Sequence, residues 1–247
     1  MDSIAILGAV AGAYLLAGFV KGVIGMGLPT VAVGLLGLVL TPAQAAAVLV
    51  VPSLVTNIWQ MLAGGGLVAL IGRMWPMLAG ICIGTWAGAV WLPRSGGSQA
   101  TMWLGIALAI YAGFGLVNIH FKVRPRSELW LGFVVGVATG ATTVVTGVFA
   151  LPGVPYMQGL QMERDKLVQT LGLSFTVSTV TLALALQHAG EINTTLIWPS
   201  LVALAVVLIG MVLGQMVRSR VRPETFRLCF FLGLLALGAH LALRGLL

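Results

Sequence analysis

Apolar residues in this chain gather into long blocks, at about 4–21, 28–40, 43–63, 70–92, 100–120, 128–146, 147–160, 166–187, 194–217 and 224–245. Most are roughly 18–25 residues long, enough to cross about 30 Å of hydrocarbon as a helix, and no strand-like alternation of a membrane barrel appears. The pattern predicts an all-α polytopic membrane protein of about ten hydrophobic segments. Two of these, 28–40 and 147–160, are too short to cross comfortably. Each follows a glycine- or threonine-rich stretch, and the second contains Pro152 and Pro155, so half-helices or re-entrant pieces are expected there.

Composition points the same way. Of 247 residues, 59% are hydrophobic and 8% charged, against about 25% charged in soluble domains. Asp2 and the lack of a basic stretch before "IAILGAV" predict a retained first helix and no cleaved signal. A net charge of +7 is compatible with a nucleic-acid partner, but the basic residues fall between apolar blocks, where cytoplasmic loops carry them. Cys82 and Cys229 each lie inside an apolar block, with no C-x-x-C or His/Cys cluster. No metal or redox cofactor is expected.

The chain also repeats. "GFVKGV" at 18–23 matches "GFVVGV" at 132–137 in five of six positions. "WPMLA" at 75–79 is echoed by "WPSLV" at 198–202, followed by Gly84/Gly88 and Gly210/Gly214 respectively. This predicts two membrane repeats, 1–121 and 122–247, within a single transmembrane domain. The small-residue pairs are expected to serve close helix packing.

Charge orients the halves. Lys21, Arg73, the trio Lys122, Arg124 and Arg126, the pair Arg164 and Lys166, and the trio Arg218, Arg220 and Arg222 fall after the first, third, fifth, seventh and ninth blocks. Ten passes with both termini outside put all five sets in the cytoplasm, and the repeats are then inverted relative to each other. Arg94 and Arg244 run against the trend.

A broken helix in hydrocarbon is tolerated only where its backbone is buried in protein or lines a polar cavity. The stretch "GFVKGVIGMGLPT" is therefore expected to form half of a midplane binding site. Gly22, Gly25 and Gly27 would leave backbone N–H groups accessible, and Pro29 would open a new helix whose N-terminus favours an anion. The matching stretch "GVATGATTVVTG" offers Thr139, Gly140, Thr142, Thr143 and Thr146. Their hydroxyls could bind an oxyanion or bond to their own carbonyls four residues back. Polar residues on the following segments, Asn57 and Gln60 in the first half and Gln169, Thr170, Ser174, Ser178 and Thr181 in the second, are expected to face inward, for ligand contact or interhelical bonding. Lys21 could sit at the mouth of the site, but snorkelling to the cytoplasmic interface is the preferred reading.

Together "GFVKGVIGMGLP", the helix entry "TPAQAAA", and "GFVVGVATGATTVVTG" followed by "MERDKLVQT" resemble the sulfite exporter TauE/SafE family, also called the four-toluene sulfonate uptake permease group, over nearly the full chain. The resemblance implies a multi-pass transporter in the cell's inner membrane, carrying sulfite, thiosulfate, sulfoacetate, other sulfonates or small carboxylates. It places the family's glycine-rich break on Gly18, Gly22, Gly25, Gly27 and Pro29, and its counterpart on Gly132, Gly136 and Gly140, with departures at Thr139 and Ala141. The partners expected are a small anion and the lipid bilayer, with a homo-oligomer left open and nucleic acid excluded.

A membrane-embedded enzyme or an assembly subunit is the alternative. The enzyme would need a nucleophile with a base, or paired acids or histidines at membrane depth. His120, His188 and His240 lie near segment ends, and Glu163, Asp165, Glu191 and Glu224 in or beside loops, so no catalysis is expected. Charge placement yields a direct test of topology. A reporter active only outside the cytoplasm should work when fused after Gly190 and stay silent after Arg124; the reverse would invert the orientation.

Overall fold

A computed structural model of the protein describes residues 3–91, 98–117, 122–192, 197–218, 220 and 223–246. Among them are ten α-helices and a 3-10 turn, Pro125–Ser127. The first half contributes α1 (Ser3–Ile24), α2 (Leu28–Leu36), α3 (Pro42–Leu62), α4 (Leu67–Trp91) and α5 (Ser98–Val117). The second contributes α6 (Glu128–Thr146), α7 (Gly153–Gly159), α8 (Arg164–His188), α9 (Ile197–Arg218) and α10 (Pro223–Leu246). Seven of these, α3 to α6 and α8 to α10, are long and apolar enough to cross a bilayer, and α1 adds an apolar stretch over Gly8–Ile24. The two short blocks become α2 and α7, of nine and seven residues. Arg94, His120, Arg222 and residue 121, where the first repeat was expected to end, lie outside the described residues.

Local chemistry sets several boundaries. The "TPAQ" entry to α3 is a capping box: the Gln44 amide donates to Thr41 Oγ1 (3.3 Å) and the Thr41 amide to Gln44 Oε1 (3.2 Å), with Pro42 opening the helix. Between α1 and α2, Gly25 and Gly27 have φ of 81° and 97°, a left-handed backbone that a side chain disfavours. Helix α6 stops at Gly147, φ 72°, whose amide donates to the Thr143 carbonyl (2.7 Å). The threonines at 139–146 thus sit inside α6. The second break begins after them, at Gly147, later than the sequence pattern suggested.

Helices pack in four principal pairs. Gly18 faces Val207 and Gly22 faces Met211, so α1 and α9 run parallel. Gly136 faces Met77 and Gly140 faces Ile81, so α6 and α4 also run parallel. In α3 and α8 the order reverses, with Gly172 against Asn57 and Gln60, while Thr179 shares a crevice with Ala46 and Val50. Helices α5 and α10 are likewise antiparallel, Gly105 meeting Ala242 and Gly115 meeting Phe231.

In the parallel pairs backbone touches backbone. A Cβ added to Gly84 would lie 2.0 Å from the Val137 carbonyl oxygen, and one on Gly214 2.2 Å from that of Phe19. Gly18 and Gly22 meet α9 as Gly136 and Gly140 meet α4, and Gly210 and Gly214 correspond to Gly80 and Gly84. In the motif alignment these glycines stand one helical turn apart, because glycines recur every four residues in α4 and α6 and motif similarity alone does not distinguish successive turns.

These directions bring the basic side chains to one end. Arg73 in the second turn of α4 meets Glu128 at the start of α6, with Nη2–Oε2 3.0 Å. Arg164 and Lys166 open α8 opposite the end of α3, and Arg218 closes α9 beside the end of α1. Arg244 sits at the opposite end, donating to the Leu38 carbonyl (2.6 Å). All seven tryptophans are at least partly lipid-facing, Trp59, Trp75 and Trp130 toward the basic end and Trp86, Trp91, Trp103 and Trp198 toward the other, as in the two aromatic belts of a membrane protein.

Lys21 departs from expectation. It is 5% exposed and points into the protein, so it neither snorkels nor belongs to a loop.

The close crossings predict a sharp contrast. Gly84→Val or Gly214→Val should destabilise the protein by about 1–3 kcal/mol or more, read as a lower thermal unfolding midpoint in detergent. Gly72→Ala, with nothing within 4 Å of the added carbon, should leave it unchanged or slightly higher.

Candidate functional site

The last turns of α1, the first break, the second half of α3 and the first half of α8 converge toward the basic end. Lys21 Nζ donates to Thr56 Oγ1 (3.0 Å) and to Asn57 Oδ1. The Thr56 hydroxyl in turn donates to the Pro52 carbonyl (2.7 Å), on a turn where Pro52 itself has no N–H to give. Gln60 Nε2 donates to the carbonyls of Gly25 (2.8 Å) and Val168 (3.1 Å), tying the break to both α3 and α8. Gln169 Nε2 donates back to the Met61 carbonyl (3.0 Å), and its side chain lies over Gly64.

Several polar atoms in this seam are buried and unpartnered among the described residues: Ser53 Oγ, Asn57 Nδ2, Gln60 Oε1 and Ser178 Oγ. An orphaned polar atom inside a membrane bundle carries a desolvation penalty of about 1–3 kcal/mol. Four along one helix interface mark a seam suited to a polar ligand or water. Ser174 instead contacts the Met157 sulfur at 3.4 Å, at a closed part of the same interface.

The second break is built differently. Thr139, Thr143 and Thr146 donate to the carbonyls of Val135, Thr139 and Thr142, each at 2.7 Å. Thr142 lies 2.7 Å from the Leu151 carbonyl and joins the irregular segment 147–152 to α6. The Val148 amide donates to Thr146 Oγ1 (3.2 Å). These hydroxyls hold the turn together, the backbone-bonding alternative raised for them above.

The expected glycines also divide. Gly25 and Gly27 form the first break, Gly27 capping α2 with Pro29 behind it. Gly22 and Gly140 are filled by neighbouring backbone: an added Cβ would lie 2.3 Å from the carbonyl oxygens of Met211 and Ile81 respectively. The two breaks do not meet. The first is held at Gln60, whereas Gly147 packs on Ala46 and Val33; positions 46 and 60 of α3 are roughly 20 Å apart at 1.5 Å per residue. A crevice beside Gly147, Phe149, Ser53 and Thr179 has no room for a water molecule.

Sequence reading passed over Ser53 and Thr56 as site residues and turned Lys21 toward solvent. The available signal was Lys21 itself, an ionisable residue within an apolar block, and a Ser53–Thr56–Asn57 strip one turn apart on α3.

A lipid-facing shell of apolar helices around a buried polar seam is the architecture of a multi-pass membrane transporter. The chain belongs to the sulfite exporter TauE/SafE family, a transporter family whose model matches residues 9–241. No curated protein and no solved structure matches it.

The hydroxyl roles can be separated by substitution. Thr142→Val removes the tie to Leu151 and should destabilise by about 1–3 kcal/mol, whereas Thr139→Val loses only a bond within its own helix and should change stability by less than about 1 kcal/mol. Thermal or denaturant unfolding in detergent reads both.

Proposed function

We propose that the protein carries small sulfur-containing or organic anions, such as sulfite, thiosulfate, sulfoacetate or other sulfonates, across the inner membrane, by export or permeation. The observation that carries this reading is the α3–α8 seam, with buried unpartnered Ser53, Asn57, Gln60 and Ser178 atoms inside a chain of the TauE/SafE family. Donors in the seam, and the amides at the N-terminus of α2, suit an anion and repel a cation.

On this reading the two halves are inverted-topology repeats that together make ten crossings. Support comes from the packing: α1 on α9 mirrors α6 on α4, the short helices α2 and α7 follow the first helix of each half, and the pairs α3–α8 and α5–α10 are each antiparallel. A two-fold axis in the membrane plane relates such halves, and rocking about it would expose the seam to each side in turn. The site then lies along the α3–α8 axis, with the first break and Gln169 at its cytoplasmic end and Gly147 toward the other.

In proteoliposomes, thiosulfate, sulfoacetate and short carboxylates should compete for flux within about tenfold to a hundredfold of one another, because hydroxyl and amide donors read charge more than shape. Uptake of a cation, or no anion flux from either face, would overturn the reading. Gly25→Val should abolish flux while the protein still inserts, since the left-handed backbone and the Gln60 tie are lost together.

A further inference from the structure

Lys21 stands apart from every other basic residue described. The other described Lys and Arg side chains are exposed, whereas Lys21, in the last turn of α1 before the first break, is buried against α3. Both groups touching Nζ are neutral oxygens, Thr56 Oγ1 and Asn57 Oδ1. Among the described residues no carboxylate lies within 4.0 Å of it.

Nor do the neighbouring elements bring a counter-charge into the seam. Helices α2 and α3 contain no ionisable side chain, and α1 contains only Tyr14 besides Lys21. Helix α9 has Arg218 in its last turn. Helix α8 starts with Arg164, Asp165 and Lys166 and ends with His188. Helix α10, which reaches α1 through the Phe19–Phe226 ring contact, brings Glu224, Arg227 and Cys229 near its start and His240 and Arg244 near its end. The charged groups Arg164, Asp165, Lys166, Arg218, Glu224 and Arg227 are exposed.

An ammonium held this way without an anion is costly by several kcal/mol. Beside it lie donors with nothing to bind. Asn57 gives its oxygen to Lys21, which leaves Nδ2 buried and unpartnered, and Ser53 Oγ, one turn along the same helix, is also buried and unpartnered. A lysine N–H, an amide N–H and a hydroxyl on one strip form a three-donor set for an oxyanion.

We propose that Lys21, with Asn57 and Ser53, is the charge-pairing site for the transported anion and takes up the proton that travels with it. The inference rests on the anion-transport reading and deepens it. With the site empty, Lys21 is a neutral amine bonded to Thr56 and Asn57. An anion and a proton then enter from the same side, the proton adding to the amine lone pair to give an ammonium paired with the anion. On the opposite side the anion leaves, the N–H bond breaks, the proton follows, and the amine is restored. One proton moves with each anion, so a monovalent anion crosses with no net charge and a divalent one with a single negative charge.

The test uses full-length protein in nanodiscs and liposomes, with thiosulfate, methanesulfonate and sulfoacetate as probes, none of which changes charge between about pH 6 and about pH 9. Binding of each should weaken as pH rises, approaching about tenfold per pH unit once the empty site is neutral. Flux driven by an anion gradient should move protons in the same direction, reported by a pH-sensitive dye inside the liposomes. Lys21→Gln should lose at least about tenfold in affinity, and Lys21→Arg, which stays charged, should bind without pH dependence and carry no proton. The wild-type proton measurement decides the matter even if a variant misfolds. Binding or flux of an anion without proton movement and without pH dependence would overturn this inference and leave anion transport standing. No binding by any probe at any pH would overturn both.

Discussion

Lipid gives helices almost no hydrophobic reason to associate, so the bundle depends on how closely their backbones can approach. Two glycine-lined crossings supply that approach. In one, Gly18, Gly22, Gly210 and Gly214 let α1 lie against α9; in the other, Gly136, Gly140, Gly80 and Gly84 let α6 lie against α4. Any side chain there would occupy space already taken by a carbonyl oxygen. Dispersion and short-range dipole contacts accumulate over each interface because no side chain holds the backbones apart.

The first crossing also bears on the polar interior. Once α1 is anchored to α9, its last turn is directed at α3, and Lys21 meets Thr56 and Asn57 and not the membrane surface. The break that follows is tied by a single side chain, Gln60, to the carbonyls of Gly25 and Val168. The second break is tied by Thr142 to Leu151 and by Gly147 against Ala46 and Val33. The first break thus borders a lysine and two glutamines, while the second is closed by hydroxyls bonded to their own backbone.

The two breaks therefore differ in chemistry. The seam between α3 and α8 carries neutral polar groups along its depth, and a crevice too narrow for water lies toward its far end.

The sequence by itself determined the solvent, the all-helical class, the two short pieces and the clustering of positive charge, because these follow from run length, glycine and proline placement and local charge. The inward face of α8 was legible too: Gln169, Thr170, Ser174, Ser178 and Thr181 are all buried, as their helical spacing implies. Tertiary structure alone decided the rest. Whether a membrane threonine bonds its own carbonyl or a ligand depends on which groups stand opposite, and for Thr139, Thr143 and Thr146 the backbone takes the hydroxyl. Whether Gly22 opens a site or admits a helix depends on α9, nearly two hundred residues along the chain. The four-residue spacing leaves Gly132, Gly136 and Gly140 of α6 alike in one dimension, and only the contacts with α4 show that Gly136 and Gly140 carry the crossing. Lys21 reads as a snorkelling residue in one dimension because its four-carbon stem can reach water from most interfacial positions; α3, packed across it with Thr56 and Asn57, turns the side chain inward.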